Sequence, residues 1–306
     1  MTIAYITHDV FMKHDMGRHH PECPERLAAI SDALIASGLE ALLKRHEAPR
    51  ADEKQLARAH EASYIEAIRS VAPRQGMVQL DPDTAMCPDT LEAAERAAGD
   101  GVLAVDLVAG GKAAGAFCAV RPPGHHAMRG RPMGFCIFNN IAVAARHALE
   151  VHGLERVAIV DFDVHHGNGT EDIVSGDERV LMTGTFQHPF YPYSGTEHPA
   201  ANMANVPLPS GADGVAFRDA FRKTCLPALE KFKPQMLFIS AGFDAHIEDD
   251  MAMMRLTEAD YAWVTTALCG VAERHAGGRM VSMLEGGYAL AALGRSVVAH
   301  VRAMMG

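Results

Sequence analysis

The sequence predicts an α/β fold: a mostly parallel sheet with helices on both faces. Two observations carry this. Short, almost wholly apolar runs bounded by turn residues alternate with longer stretches of helical period. Strands buried on both faces, as in parallel sheets, read as continuous apolar runs of this kind. The strand candidates are "IAYIT" from Ile3, "GAFCAV" from Gly115, "RVAIVDFD" from Arg156, "VLMTGTF" from Val180, "QMLFISAG" from Gln235 and "RMVSMLEGG" from Arg279. Between them lie helical stretches. "PERLAAISDALIASG" opens with Pro24 near a first turn and stops at Gly38. The others are "TLEAAERAAGDGVLAVDLVAGG", "NNIAVAARHALEVHG", "AFRDAFRKTCLPALEKF", "TEADYAWVTTALCGVAERHAGG" and "LGRSVVAHVRAM". With no repeat, low-complexity tract or linker-like shift in composition, residues 1–306 are expected to form one domain.

Bulk properties narrow the classes of function. A chain of 306 residues, 48% hydrophobic and 22% charged, has ample material for a core. A net charge of −10 without a Lys/Arg cluster argues against nucleic acid as a partner. The six cysteines lie far apart without a CxxC, so neither a disulfide framework nor a thiolate metal site is expected. The N-terminus lacks a basic, then apolar, leader pattern, and no apolar run approaches the ~18 residues of a membrane span. These features read as a reduced, cytoplasmic protein without a membrane partner.

In open α/β sheets, ligands bind outside the carboxyl ends of the strands. Four strands here end in polar residues: "AVRPPGHH", "VDFDVHHGNG", "ISAGFDAH" and "LEGGY". In "DFDVHHGNG", Asp161, Asp163 and His165 fall at every second position, which on an extended strand places them on one face. Three polar groups there would be costly unless something binds them, and a cation suits carboxylate and imidazole donors. Asp244, in "SAGFDAH", stands just past another strand end. Three protein ligands leave a metal position open, as in catalytic rather than structural sites. The adjacent His125 and His126 leave one tight turn and are placed to share acid and base roles toward one reacting group.

Taken in order and spacing, "HHPECPERL", "RPPGHH", "GFCIFNN", "DFDVHHGNGT", "SAGFDAH", "LTEADY" and "LEGGY" resemble the zinc-dependent histone deacetylase family. That family includes bacterial histone deacetylase-like amidohydrolases and acetylpolyamine amidohydrolases. The resemblance spans nearly the whole chain. It implies the arginase-like deacetylase fold and hydrolysis of an N-acetylated amine, acetyl-lysine or acetylpolyamine, to free amine and acetate.

Position by position, the resemblance implies one Zn2+ per chain on Asp163, His165 and Asp244, donors that would also suit iron. His125 and His126 form the catalytic dyad, with the base and acid roles open between them. Asp161 backs His125, and Asn168 backs His126 where part of the family has Asp, a class II-like trait. Since Asn168 is uncharged, His126 is expected to be the less basic ring. Tyr288 is the expected hydrogen-bond donor to the oxyanion. Substrate contacts fall on Phe135, Phe190, Gly134 and Asp83. A structural K+ is implied at Asp161, Asp163, His165, Thr185 and Phe186, and Arg26 matches an arginine near an internal acetate exit.

Rival chemistries leave different marks. Dinuclear arginase-type sites need bridging aspartates where this chain has Gly167 and His246. A catalytically silent acyl-lysine-binding module would lack His125, His126 or Tyr288, and all are present. Deacylation of another small acylated amine is the alternative within the same chemistry. Homo-oligomerisation is compatible with this reading.

Overall fold

The six apolar runs become the interior of one eight-stranded sheet in the computed structural model, which describes residues 2–197 and 199–306. The first half of the chain holds β1 (Ile3–Thr7), α1 (Glu25–Ala36), β2 (Lys44–Glu47), α2 (Glu53–Leu56), α3 (Ala62–Val71), β3 (Val78–Asp81), β4 (Thr84–Met86), α4 (Thr90–Ala109), β5 (Gly115–Cys118) and α5 (Asn140–Glu150). The second half holds β6 (Val157–Asp161), α6 (Asn168–Val174), β7 (Val180–Gln187), β8 (Met203–Leu208), α7 (Gly214–Ala220), α8 (Leu226–Phe232), β9 (Leu237–Ala241), α9 (Glu258–Val271), β10 (Met280–Leu284) and α10 (Leu290–Met305). The sheet order is β2-β1-β5-β10-β9-β6-β7-β8, with every neighbouring pair parallel, while β3 and β4 form a separate antiparallel hairpin.

The two outer strands do not look like the inner six. β2 reads "KRHE" and β8 carries Pro207; edge strands need only one protected side and are often charged or proline-bearing. Both faces of the sheet are covered. Ser282 on β10 bonds His300 of α10, while its neighbour Met283 points the other way, against Gly101 of α4. A side chain at Gly101 would press on Ala144 of α5 and on Met283, so the glycine lets α4 lie close to both. Among the described residues, no helix is long and apolar enough to cross a membrane.

Topology places the site. The four strands that end in polar motifs, β5, β10, β9 and β6, are contiguous in the sheet. Because all run parallel, their carboxyl ends share one edge, and the four motifs meet there. One expectation needs correction. β6 stops at Asp161, so Asp163 and His165 lie in the loop beyond it rather than on the strand. Side chains capture the amides that a ladder would use: Asp161 Oδ1 accepts from the Asp163 amide at 3.1 Å, and Asp163 Oδ1 from the His165 amide at 2.9 Å. Alternation persists through the loop, with Phe162 and Val164 buried in the core.

Candidate active site

Beyond β6 and β9, three buried side chains converge. His165 Nδ1 lies 3.0 Å from Asp163 Oδ1 and 3.2 Å from Asp244 Oδ2. Asp163 Oδ2 accepts from the Gly286 amide at 2.8 Å, and Asp244 Oδ1 from the Val164 amide at 2.9 Å. Asp244 Oδ2 is buried without a hydrogen bond. Gly242 and Gly286 make room for these carboxylates, since a Cβ at Gly286 would overlap both and one at Gly242 would overlap Asp163. Burial and the charge of Asp163 push the Asp244 carboxyl up to about 7. Against the effect of burial, the proximity of the same two carboxylates lifts His165 to about 10. Two buried carboxylates beside one imidazole, with one carboxylate oxygen left unbonded, call for a cation, and this donor set suits zinc. His246, which stands where an arginase-type site needs a bridging aspartate, lies toward Glu258 at 3.5 Å.

The two histidines after β5 lie with ring centroids 4.0 Å apart and their planes tilted by 42°. His125 Nδ1 meets Asp161 Oδ2 at 3.0 Å, and His126 Nδ1 meets Asn168 Oδ1 at 2.7 Å. Asn168 Nδ2 is spent on Met133 Sδ at 3.3 Å, which fixes the amide with its oxygen toward the ring. Both imidazoles therefore keep Nε2 free to exchange a proton. Although burial opposes it, the charges of Asp163, Asp161 and Glu285 raise His125 well above the usual histidine range. Burial, followed by His125 and His165, holds His126 well below it. Tyr288, following β10, lies under the Arg26 guanidinium, 4.9 Å from the ring centroid. Burial keeps its hydroxyl protonated and so a hydrogen-bond donor.

Above these groups opens a cleft of about 150 Å³, with His126, His165 and Tyr288 reached from walls of Phe135, Gly134, Phe190, Tyr191, Met251 and Asp83. Phe135 and Tyr288 meet edge to face at 5.9 Å, and Phe190 stacks on His165 at 5.5 Å. Phe135 is held at φ 69°, an unusual conformation for a bulky residue. Its amide donates to Thr84 Oγ1 at 2.9 Å, and the Gly134 amide donates to Asp83 Oδ1 at 3.2 Å. The β3–β4 hairpin thus pins this wall in place. Gly134 (φ 57°) also lies where a side chain would strike the His126 ring.

Residues 20–304 match the histone deacetylase domain. The chain belongs to the histone deacetylase family. It is 40% identical over 276 residues to a histone deacetylase-like amidohydrolase of Pseudomonas aeruginosa, covering 88% of this chain and 72% of that one. To the polyamine deacetylase HDAC10 of Mus musculus it is 36% identical over 308 residues, covering 93% of this chain and 45% of the relative. The crystal structure of the HDA15 HD domain superposes with a TM-score of 0.93 at 31% identity, covering 99% of this chain and 89% of that one. The sheet and its flanking helices are those of the arginase-like deacetylase fold, and deacetylation of acetylated amines is the activity of this family.

Several groups in this histone deacetylase fold escaped the sequence reading. Glu285, within "LEGGY", accepts the amides of Gly124 and His125 at 2.7 and 3.1 Å and the Ser240 hydroxyl at 3.2 Å, so it holds the histidine turn. Asp249 accepts the amides of Tyr288, Ala289 and Met251 at 2.6, 3.0 and 3.0 Å. Arg26, which the sequence did single out, donates to the carbonyls of Gly287 and Glu285 at 2.7 and 2.5 Å and braces the same turn. His166 links Ser194 and Glu171, each at 2.8 Å, and anchors the loop bearing Phe190 and Tyr191. Tyr191 and Met251 are walls that no motif announced. Of the residues expected around a monovalent cation, Asp161, His165, Thr185 and Phe186 line one small cavity.

Proposed function

We propose that this chain is a zinc-dependent deacetylase acting on acetyl-lysine or acetylpolyamine, with residues 1–306 forming one catalytic domain. One observation carries the reading: Asp163, His165 and Asp244 converge beneath an aromatic-walled cleft that also presents His126 and Tyr288. The chemistry a bound zinc supplies is Lewis acidity toward the acetyl carbonyl and acidification of water. The protein's own groups do the rest. Phe135, Phe190 and Tyr191 clasp a methylene chain and exclude water, and Asp83 is the acceptor at the mouth. His125 and His126 jointly take a proton at Nε2 and return one to the departing amine, with Asp161 and Asn168 holding the rings. The Tyr288 hydroxyl donates to the carbonyl oxygen as it gains charge. We assign the small cavity beside Asp161 and Thr185 to a structural K+. Six free thiols accord with a reducing, cytoplasmic setting.

Substrates of this class are supported by the relatives: one is named an amidohydrolase and another a polyamine deacetylase. The test is acetate release by zinc-loaded protein from an acetyl-lysine peptide, N-acetylputrescine and acetylspermidine. Turnover of at least one of them is expected. No release from any of them would contradict the proposal.

A further inference from the structure

Two helices finish side by side on the sheet face away from α10. Asp106 lies in the last turn of α4, His147 in the last turn of α5, and His152 just beyond it. Both imidazoles converge on one oxygen: Asp106 Oδ1 is 2.8 Å from His147 Nε2 and 2.7 Å from His152 Nε2. We propose that Asp106, His147 and His152 form a second metal site, for a zinc-like divalent transition ion, that fastens α4 to α5.

An ordinary surface ion pair uses one histidine per carboxylate. Here three donor atoms, two from helix ends and one from the turn just after α5, lie within 4.8 Å of one another, none of them shared with the catalytic cluster. Zinc bonds of about 2.0–2.2 Å to nitrogen and oxygen would space tetrahedral ligands by roughly 3.4 Å. The two Asp106–histidine spacings therefore need to widen by only about 0.6–0.7 Å to admit the ion. Two imidazoles favour zinc, nickel or cobalt over magnesium or calcium, which prefer all-oxygen sites. The partial negative charge at two helix C-termini adds to the attraction. One side faces water, since the Asp106 and His152 side chains are 49% and 25% exposed, so solvent can complete the coordination.

Both Nε2 atoms donate to Asp106 Oδ1, at 2.8 and 2.7 Å, so each ring moves its proton to Nδ1 when a metal takes Nε2. The nearby charged groups are Arg58 and Glu150. Arg58 Nη1 lies 3.2 Å from His147 Nδ1, a contact that must yield when Nε2 takes a metal and Nδ1 carries the proton. Glu150 Oε2, already 3.4 Å from Arg58 Nε, retains the guanidinium.

The probe is zinc itself, followed by equilibrium dialysis of wild type, His152→Ala and Asp106→Asn, with cobalt absorption as a second readout. Wild type should take up a second equivalent beyond the one needed for activity. Both variants should lose that second equivalent while keeping full deacetylase activity. Asp244→Ala, which removes a catalytic ligand, should still bind at the helix ends, so failure of the catalytic reading would show separately. A wild type that binds no ion beyond the catalytic one would overturn the proposal, as would a second equivalent that survives both substitutions.

Discussion

Asn168 Oδ1 sits 2.7 Å from His126 Nδ1, and its own nitrogen is turned to Met133. A carbonyl oxygen can only accept, so Nδ1 carries the proton and the lone pair of His126 is left on Nε2, facing the cleft. Asn168→Leu removes the acceptor at similar volume. The ring then loses its tautomer and its orientation, and kcat should fall on the order of 10²-fold. KM should change little, because Asn168 does not line the substrate cleft. Steady-state kinetics with metal content measured in parallel checks this, and an unchanged kcat would contradict the tautomer argument.

Tyr288→Phe removes one hydroxyl and keeps the ring that packs against Phe135 and Arg26. Substrate should bind as before while kcat falls by roughly 10²–10³-fold, the usual cost of losing an oxyanion donor. A rise in KM alone would make Tyr288 only a wall of the cleft.

Glu285 offers a way to separate position from charge. Glu285→Gln can still accept the Gly124 and His125 amides through its oxygen and turn its nitrogen to Ser240. Glu285→Ala leaves both amides unpaired in a buried place and frees the histidine turn. The alanine variant should lose on the order of 10² in kcat, and glutamine should recover most of it. Equal losses in the two variants, with both still folded, would show that the carboxylate acts by charge instead.

The six interior strands were legible because burial on both faces leaves continuous apolar runs, and the polar residues at four strand ends stood out against them. The edges were not legible: "KRHE" and a proline-bearing "MANVPL" carry no such mark, and only pairing with β1 and β7 makes them strands. Local pattern also extended β6 too far, since alternation at Asp161, Asp163 and His165 looks the same in a strand and in a loop whose amides are captured by carboxylates. Asp249 reads as one more acid in "IEDDM"; its contact with the Tyr288 amide joins segments 39 residues apart. Phe190 was expected at the cleft from its likeness to the family pattern, whereas its neighbour Tyr191 differs from an ordinary core aromatic only through the turn that points it there.

Two buried groups outside the site should govern how stability depends on pH. Asp100 in α4 is wholly buried with neither carboxyl oxygen bonded, and burial raises its pKa well above the usual carboxylate value. The unfolded chain releases this proton near pH 4 and the folded chain keeps it. Stability is therefore lost as pH rises from there toward the folded pKa, by up to about 1.4 kcal/mol per pH unit. His300 has the opposite profile. Its Nδ1 donates to Thr265, whose own hydroxyl is given to Tyr261, and its Nε2 accepts from Ser282. Burial lowers its pKa to about 3, so its contribution is present above the unfolded value of about 6.5 and lost as pH falls below it. Urea unfolding across pH 4–9 should show Asp100→Asn flattening the alkaline side and His300→Gln the acid side. Parallel curves for wild type and variants would contradict these assignments.

The central claim is that Asp163, His165 and Asp244 hold the metal on which turnover depends. The most direct measurement strips the protein with a chelator, confirms that it remains folded, and follows acetate release while zinc is returned. Activity should vanish on stripping and return in proportion to the tightest-binding equivalent of zinc, and Asp244→Ala should stay inactive at every zinc level while retaining its fold. Full activity in the metal-free protein, or in Asp244→Ala, would contradict the account.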